Sequence, residues 1–237
     1  MISVIIRTHN EMRTLAKLID KLKDQSFRGF EIIVVDNEST DGTYEYSIKN
    51  ANKVVTIKRE DFSHARSCNL GIEASEREYI YFTNGHSLPL KDNMFEESLN
   101  ILRNNTPIGG LFGRAYPYKN KHTFIEKISS NLDGLVLPSD FKVFNKYVSY
   151  MQHTITCLNR AQLLRDNPYK EMNCKAGEDT LWALEMLQDK HSFAYTPLLD
   201  VYHSHGGSNI ETLRRYWLYY ISTKEAKRSV IRNNNII

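Results

Sequence analysis

The sequence predicts an α/β fold, a mostly parallel central sheet flanked by helices, and two observations carry that expectation. Apolar runs of strand length alternate with segments of helical spacing through the first half of the chain. The earliest run, Ile2–Ile6, is apolar apart from Ser3, as in a parallel strand buried on both faces. A βαβαβαβ order of this kind puts crossover helices on both faces of one sheet.

The elements follow in order. Ile2–Ile6 is the first strand, and Leu15, Leu18, Ile19 and Leu22 mark a helix over Thr14–Leu22. Glu31–Asp36 is the second strand. Asp41–Asn50 is a helix with Ser39 or Asp41 available as its cap. Lys53–Lys58 is a third strand, Ser63–Ala74 a helix starting near Ser63 or His64, Glu78–Thr83 a fourth strand and Lys91–Arg103 a helix. Further on, Gly109–Arg114 and Thr154–Leu158 read as strands, Thr123–Leu132 as a helix and Leu135–Val148 as loop. Glu178–Gln188 is a helix with Leu181, Leu184 and Leu187 along one side and Trp182 beside them. Leu198–His203 is a last strand and Thr212–Arg228 a last helix. With no repeat and no segment of linker composition, a single domain is expected.

Composition narrows the function classes. The chain has 237 residues, 41% of them hydrophobic and 25% charged, which suits a globular domain with a sizeable core. A net charge of +3 is too mild for a nucleic-acid binder, which needs clustered Lys and Arg. Three cysteines, Cys68, Cys157 and Cys174, show neither CxxC spacing nor an even count, so neither a disulfide framework nor a zinc knuckle is expected. No leader pattern opens the chain, and no stretch approaches the roughly 20 apolar residues of a membrane span. A cytoplasmic protein is expected, with peripheral contact to the membrane's inner face left open.

Chemistry gathers where strands end. Thr8-His9-Asn10-Glu11 joins a buried strand to a helix; it can cap that helix, or offer its N–H groups to an anion and its side chains to a base or ribose. Asp36 ends the second strand, where a carboxylate can accept from a nucleobase or ribose; Asp36–Gly42 is also ordinary turn and cap chemistry. Arg66 and Asn69 share a helix face, and Arg66 can meet a base carbonyl or a diphosphate, or be a plain surface residue. Cys68 lies off that face and reads as core. Asn84-Gly85-His86 ends the fourth strand: His86 can ligate a metal, Gly85 lets backbone approach phosphates, and the same residues can make a polar turn. His203 and His205, two apart on an extended segment, point to one side and can complete a metal site with His86 or meet a diphosphate. Glu178-Asp179 opens a helix after Gly177; the dipole favours both carboxylates there, and either can act as a base.

In that order these segments resemble the family 2 glycosyltransferases of the GT-A fold, and within them the bacterial rhamnosyltransferase-like branch. Ser3–Glu11 resembles the family's opening strand, Val34–Thr43 its second segment, Phe62–Gly71 its third, Gly113–Pro117 a core strand ending of that branch, Glu178-Asp179 its catalytic pair and His203–His205 its late histidine segment. The resemblance covers about residues 1–215. It implies an inverting transferase that moves a sugar, a hexose or deoxyhexose, from a nucleotide-diphosphate donor (UDP, dTDP or GDP) to a hydroxyl of a glycan or lipid-linked acceptor in surface polysaccharide synthesis. By position, Thr8, Asn10, Glu11, Asp36, Ser39, Arg66, Asn84 and Gly85 would hold the donor nucleotide, Asp179 would be the base with Glu178 beside it, and His86, His203 and His205 would be metal ligands. Residues 1–105 would form the donor half, 106–205 the acceptor half and 206–237 an amphipathic C-terminal helix.

One departure stands out. The family's Asp-x-Asp is Asn84-Gly85-His86 here, which strips carboxylates from the metal position and disfavours Mg²⁺. Three outcomes follow: His86 ligates a softer ion such as Mn²⁺, cationic side chains carry the diphosphate, or the site is degenerate and the chain is a sugar-nucleotide-binding or scaffold protein. The retained Asp36 and Asp179 favour a working enzyme. The last helix carries Leu213, Trp217, Tyr220 and Ile221 with Arg214, Arg215, Lys224, Lys227 and Arg228; it is a packed amphipathic helix, an anchor on an anionic membrane, or an interface in a homodimer.

Overall fold

The computed structural model describes residues 1–119, 122–136, 138–148, 151–172, 176–205 and 207–233, with backbone alone for 132–136 and 231–233. Cys174 and Gly206 fall outside them. The first half runs β1 (Ile2–Thr8), α1 (Met12–Lys23), β2 (Phe30–Asp36), α2 (Thr43–Asn50), β3 (Lys53–Thr56), α3 (His64–Ala74), β4 (Tyr79–Asn84). The second half runs β5 (Leu88–Pro89), α4 (Met94–Asn104), β6 (Ile108–Phe112), β7 (Ala115–Tyr116), α5 (Phe124–Val136), β8 (Lys142–Phe144), β9 (Thr156–Arg160), α6 (Ala161–Asp166), α7 (Glu178–Gln188), β10 (Ser192–Tyr195), β11 (Val201–Tyr202) and α8 (Asn209–Asn233).

Eight strands form the main sheet in the order β3-β2-β1-β4-β9-β6-β10-β8. β3, β2, β1 and β4 are parallel, as the alternation of strands and helices requires. β9 enters antiparallel between β4 and β6, so the sheet is mixed beyond β4. Periodicity does not encode strand direction, and a strand buried on both faces reads the same either way. The Leu198–His203 strand expected from sequence is shorter: Pro197–Leu199 is a 3-10 turn, and only Val201–Tyr202 pairs, in a small second sheet ordered β5-β11-β7. β10 and β8 were not foreseen; β8 lies inside the segment expected to be loop, and its three residues are too short for a periodic signal.

Alternation along the central strands builds two cores. Ile5, Ile33 and Val35 face α3 and α7, whereas Val4, Ile6, Ile32 and Val34 face α1 and α4. Each such side chain, fully buried, contributes roughly 1.5–3 kcal/mol relative to exposure. α1 buries Leu15, Leu18, Ile19 and Leu22, the stripe read from sequence. In α7, Trp182 joins the main core and Leu181 packs with Ala226 and Val230 of α8. Cys68 and Cys157 are buried free thiols, and burial pushes Cys68 up to about 12. Among the described residues no helix is long and apolar enough to cross a membrane.

Candidate active site

The carboxyl ends of β1, β2 and β4 form one edge, and the turns leaving them are laced together. Asn10 takes a left-handed φ of 54°, and its amide accepts from Thr40 N–H at 2.7 Å while its own N–H donates to Ser39 Oγ at 2.9 Å. Glu11 N–H donates to Thr43 Oγ1 at 2.9 Å. Asp41 accepts from Met12 and Thr43 N–H, serving the starts of α1 and α2 together. Asp36 is fully buried; its Oδ2 accepts from Ser39 N–H at 3.0 Å, and its Oδ1 has no partner. A buried carboxylate oxygen without a donor is costly unless a ligand supplies one.

Where β4 ends, His86 Nδ1 meets Glu11 Oε1 in a short contact, and Thr8 Oγ1 donates to Glu11 Oε2 at 2.9 Å. Gly85 makes this possible, since a Cβ there would stand 2.4 Å from Glu11 Oε2 and 2.6 Å from Thr8 Oγ1. The His86 ring stacks on His203 with centroids 4.4 Å apart, and His205 closes the group with its Nε2 3.2 Å from His203 Nε2. One ligand atom from each ring lies within 4.8 Å of the others. Two nitrogens bound to one ion at ~2.1 Å sit roughly 3.0–3.4 Å apart, so the cluster fits a divalent metal after small movements. The His203 ring favours its neutral, ligating form: desolvation first, then His86, pushes it down.

α7 starts at Gly177, whose φ of 87° is left-handed, and presents Glu178 and Asp179 in its first turn, both nearly buried. Asp179 Oδ1 accepts from Thr180 N–H at 2.7 Å, and Oδ2 lies 3.6 Å from His153 Nε2. Burial, then the Asp179 charge, pushes Glu178 up to about 8, with Arg7 opposing. Arg7 underlies the whole edge: its Nη2 donates to Asn84 Oδ1 at 2.9 Å and to Thr154 Oγ1 at 2.7 Å, and Nη1 lies 3.9 Å from Glu178 Oε1.

Arg7, Asn84, Glu178, Asp179, His203 and His205 line one cavity of about 360 Å³ together with Tyr216, Leu218 and Tyr219 of α8. His86, stacked on His203, is not among the residues that line it. Thr8 and Glu11 face Gly85 and His86, while Asn10, Asp36 and Ser39 sit in the adjoining turns and not in the cavity wall. Arg66 is exposed on α3, outside that wall; its backbone N–H donates to the Ser63 cap, and its neighbour Asn69 is spent on Tyr169, donating to its carbonyl and accepting from its N–H. Sequence reasoning missed Arg7, His153 and Thr154. A charge inside the apolar run of β1 was a legible signal for Arg7; nothing local marks His153 or Thr154, which arrive through the pairing of β9 with β4.

Sheet, turns and cavity define an α/β protein with its polar groups gathered at the carboxyl edge of the strands, where open sheets take ligands. The chain belongs to glycosyl transferase family 2, whose family model matches residues 3–170. It is similar to the O-antigen chain rhamnosyltransferase WbaN of Salmonella anatum, 22% identical over 192 residues that cover 79% of this chain and 60% of that protein. It is likewise similar to the O-antigen chain rhamnosyltransferase RfbN of Salmonella typhimurium, 23% identical over 91% of this chain and 70% of that one. Among solved structures, the mannosyltransferase PcManGT of Pyrobaculum calidifontis, in complex with GDP-Man and Mn²⁺, superposes with a TM-score of 0.69 at 16% identity, over 96% of this chain and 64% of its own. S. aureus TarS 1-349 gives a TM-score of 0.63 at 19% identity, over 86% and 60%. These likenesses show the GT-A fold. The chain spans about 60% of the length of WbaN and of TarS 1-349.

Proposed function

We propose that this chain is an inverting glycosyltransferase that moves a sugar from a nucleotide-diphosphate donor to a hydroxyl of a glycan or lipid-linked acceptor, in the assembly of a surface polysaccharide. The observation that carries it is the meeting of Asp179 with His203 and His205 in one cavity, a base on one side and a place for a leaving diphosphate on the other. The names of the two O-antigen relatives support the acceptor class, and neighbours bound to GDP-Man and UDP-GlcNAc support the donor class.

In this reading the nucleoside lies along the β1 and β2 turns, with Asp36 Oδ1 accepting from the base and Thr8, Asn10 and Ser39 around it. Arg66 is the peripheral member of that set. The acceptor oxygen attacks the anomeric carbon as Asp179 Oδ2 takes its proton, and the bond to the diphosphate breaks with inversion. Arg7, whose Nη1 lies 3.9 Å from Glu178 Oε1, holds the residue beside that base at the start of α7. A divalent ion on His86, His203 and His205 would supply electrostatic stabilisation of the leaving diphosphate. Residues 1–105 serve the donor, 106–205 the acceptor, and the C-terminal helix walls the cavity.

That helix has a second face. Ile210, Leu213, Trp217, Tyr220 and Ile221 are exposed along its outer side, continued by Lys224 and Arg228 at helical spacing. Trp217 stacks on Tyr220, and Lys224 lies over the Tyr220 ring. Aromatic and basic residues on one stripe suit the boundary of an anionic bilayer at the cytoplasmic side, next to the cavity a lipid-linked acceptor would enter; homodimer pairing would bury the same cations against apolar side chains.

The direct test is donor turnover in Asp179→Asn. Turnover falling roughly 10²–10⁴-fold with donor binding retained supports the base assignment; unchanged turnover refutes it.

A further inference from the structure

The three histidines differ chemically from a carboxylate metal site in a way the geometry makes specific. Among the described residues, the cluster that can hold an ion contains no carboxylate. Glu11, the carboxylate against His86, is committed to that ring's Nδ1, and it is held there by Thr8 Oγ1 at 2.9 Å. His203 is arranged the same way: its Nδ1 meets Ser87 Oγ at 3.0 Å, leaving Nε2 for the cluster. His205 is tied through its backbone N–H to Glu126 Oε1 at 3.3 Å. Partners on the outer nitrogen fix which ring nitrogen carries the proton and aim the other inward. His86 Nε2, thereby freed, is buried and has no hydrogen-bond partner. A buried ring nitrogen without a partner, beside two more imidazoles whose Nε2 atoms lie 3.2 Å apart, is a donor set waiting for a Lewis acid.

We infer that His86, His203 and His205 form a three-imidazole site, with Glu11 as the outer partner of His86, that takes a late first-row divalent ion such as Zn²⁺ or Co²⁺ in preference to Mn²⁺ and does not retain Mg²⁺. The chemistry of the donors decides this. Mg²⁺ prefers oxygen ligands and gives up water reluctantly, whereas imidazole suits Zn²⁺ and its neighbours, and affinity for such a site rises from Mn²⁺ toward the later ions. Three neutral ligands also leave the ion's charge uncompensated, which favours an anionic oxygen at its open position. The inference assigns Glu11 to orienting His86, leaving the nucleoside to the other turn residues. It rests on the proposed function only for the purpose of the metal; the site itself is testable with no nucleotide present.

The experiment titrates the metal-free full chain with ZnCl₂, CoCl₂, MnCl₂ and MgCl₂ by calorimetry, and records the visible ligand-field absorption of the Co²⁺ complex. Wild type, His86→Ala, His205→Ala and Glu11→Ala are compared, with folding checked by circular dichroism. The expected result is one Zn²⁺ or Co²⁺ per chain, weaker Mn²⁺ binding and no heat with Mg²⁺. Both histidine variants should lose the Co²⁺ spectrum, and Glu11→Ala should weaken binding roughly 10- to 100-fold. His205→Ala, at the exposed member of the set, keeps the test open if His86→Ala does not fold. Mg²⁺ binding as tightly as Zn²⁺, or Zn²⁺ binding that ignores both histidine variants, overturns the inference. Correct metal selectivity with no binding of UDP, dTDP or GDP leaves this inference standing and removes the proposed function; nucleotide binding without that selectivity does the reverse.

Discussion

Replacing Arg7 with Met tests how the candidate site is held together. The Arg7 and Glu178 side chains are 9% and 6% exposed and lie 3.9 Å apart, and Arg7 also satisfies Asn84 Oδ1 and Thr154 Oγ1. Removing one member of a buried ionic pair costs about 3–5 kcal/mol when the other stays charged. Here the other member can escape. Glu178 is already pushed from 4.5 to about 8, so below that value the folded protein keeps a proton that the unfolded chain has released. A raised carboxyl makes stability fall as pH rises from about 4.5 to about 8, and removing Arg7 extends that fall to higher pH. The loss in Arg7→Met is therefore smaller at pH 6.5, about 2 kcal/mol for the orphaned acceptors, and nearer ~4 kcal/mol at pH 9. Thermal unfolding followed by circular dichroism should show the midpoint lowered by ~4–8 °C at pH 6.5 and ~8–16 °C at pH 9. The double variant Arg7→Met/Glu178→Gln should remove the extra loss at pH 9. A loss under ~1 kcal/mol, or one equal at both pH values, refutes the reasoning about this pair.

Two further predictions follow. Gly85→Ala drives a methyl into Glu11 Oε2, the end of a side chain that can swing away, and into the buried, β-branched Thr8, whose Oγ1 and Cβ would lie 2.6 and 3.1 Å from it. Overpacking against Thr8 should lower stability by about 1–3 kcal/mol, while Co²⁺ affinity falls about tenfold as Glu11 leaves His86; unchanged affinity would disconnect Gly85 from the metal cluster. On α8, Lys224→Glu/Arg228→Glu should abolish sedimentation with vesicles containing anionic lipid and leave the monomer–dimer balance in analytical ultracentrifugation unchanged. Binding equal to neutral vesicles, or a shift in that balance, contradicts the membrane assignment.

The parts legible in the sequence were those written locally. Ile2–Ile6 and Ile32–Val35 announce strands buried on both faces, so the turns that follow them had to share an edge. Glu178-Asp179 after Gly177, and His203 and His205 at spacing two, were picked out in the same way, and the structure brings them to one cavity. Direction of pairing was not legible: the residues of β9 are as buried as those of β4, and it is the antiparallel register, with Thr83 opposite Thr156, that carries His153 and Thr154 to the site. The commitment of Glu11 to His86 depends on a contact across 75 residues and on the missing side chain at position 85, neither of which a turn motif encodes.

The most direct measurement is calorimetric titration of UDP, dTDP and GDP into wild type and His86→Ala, each with and without a divalent ion. The account predicts that one of these diphosphates binds wild type, that the ion tightens it, and that the tightening disappears in His86→Ala. No binding of any of the three, with every ion tried, would contradict a nucleotide-diphosphate site at this edge and leave family membership without the proposed activity.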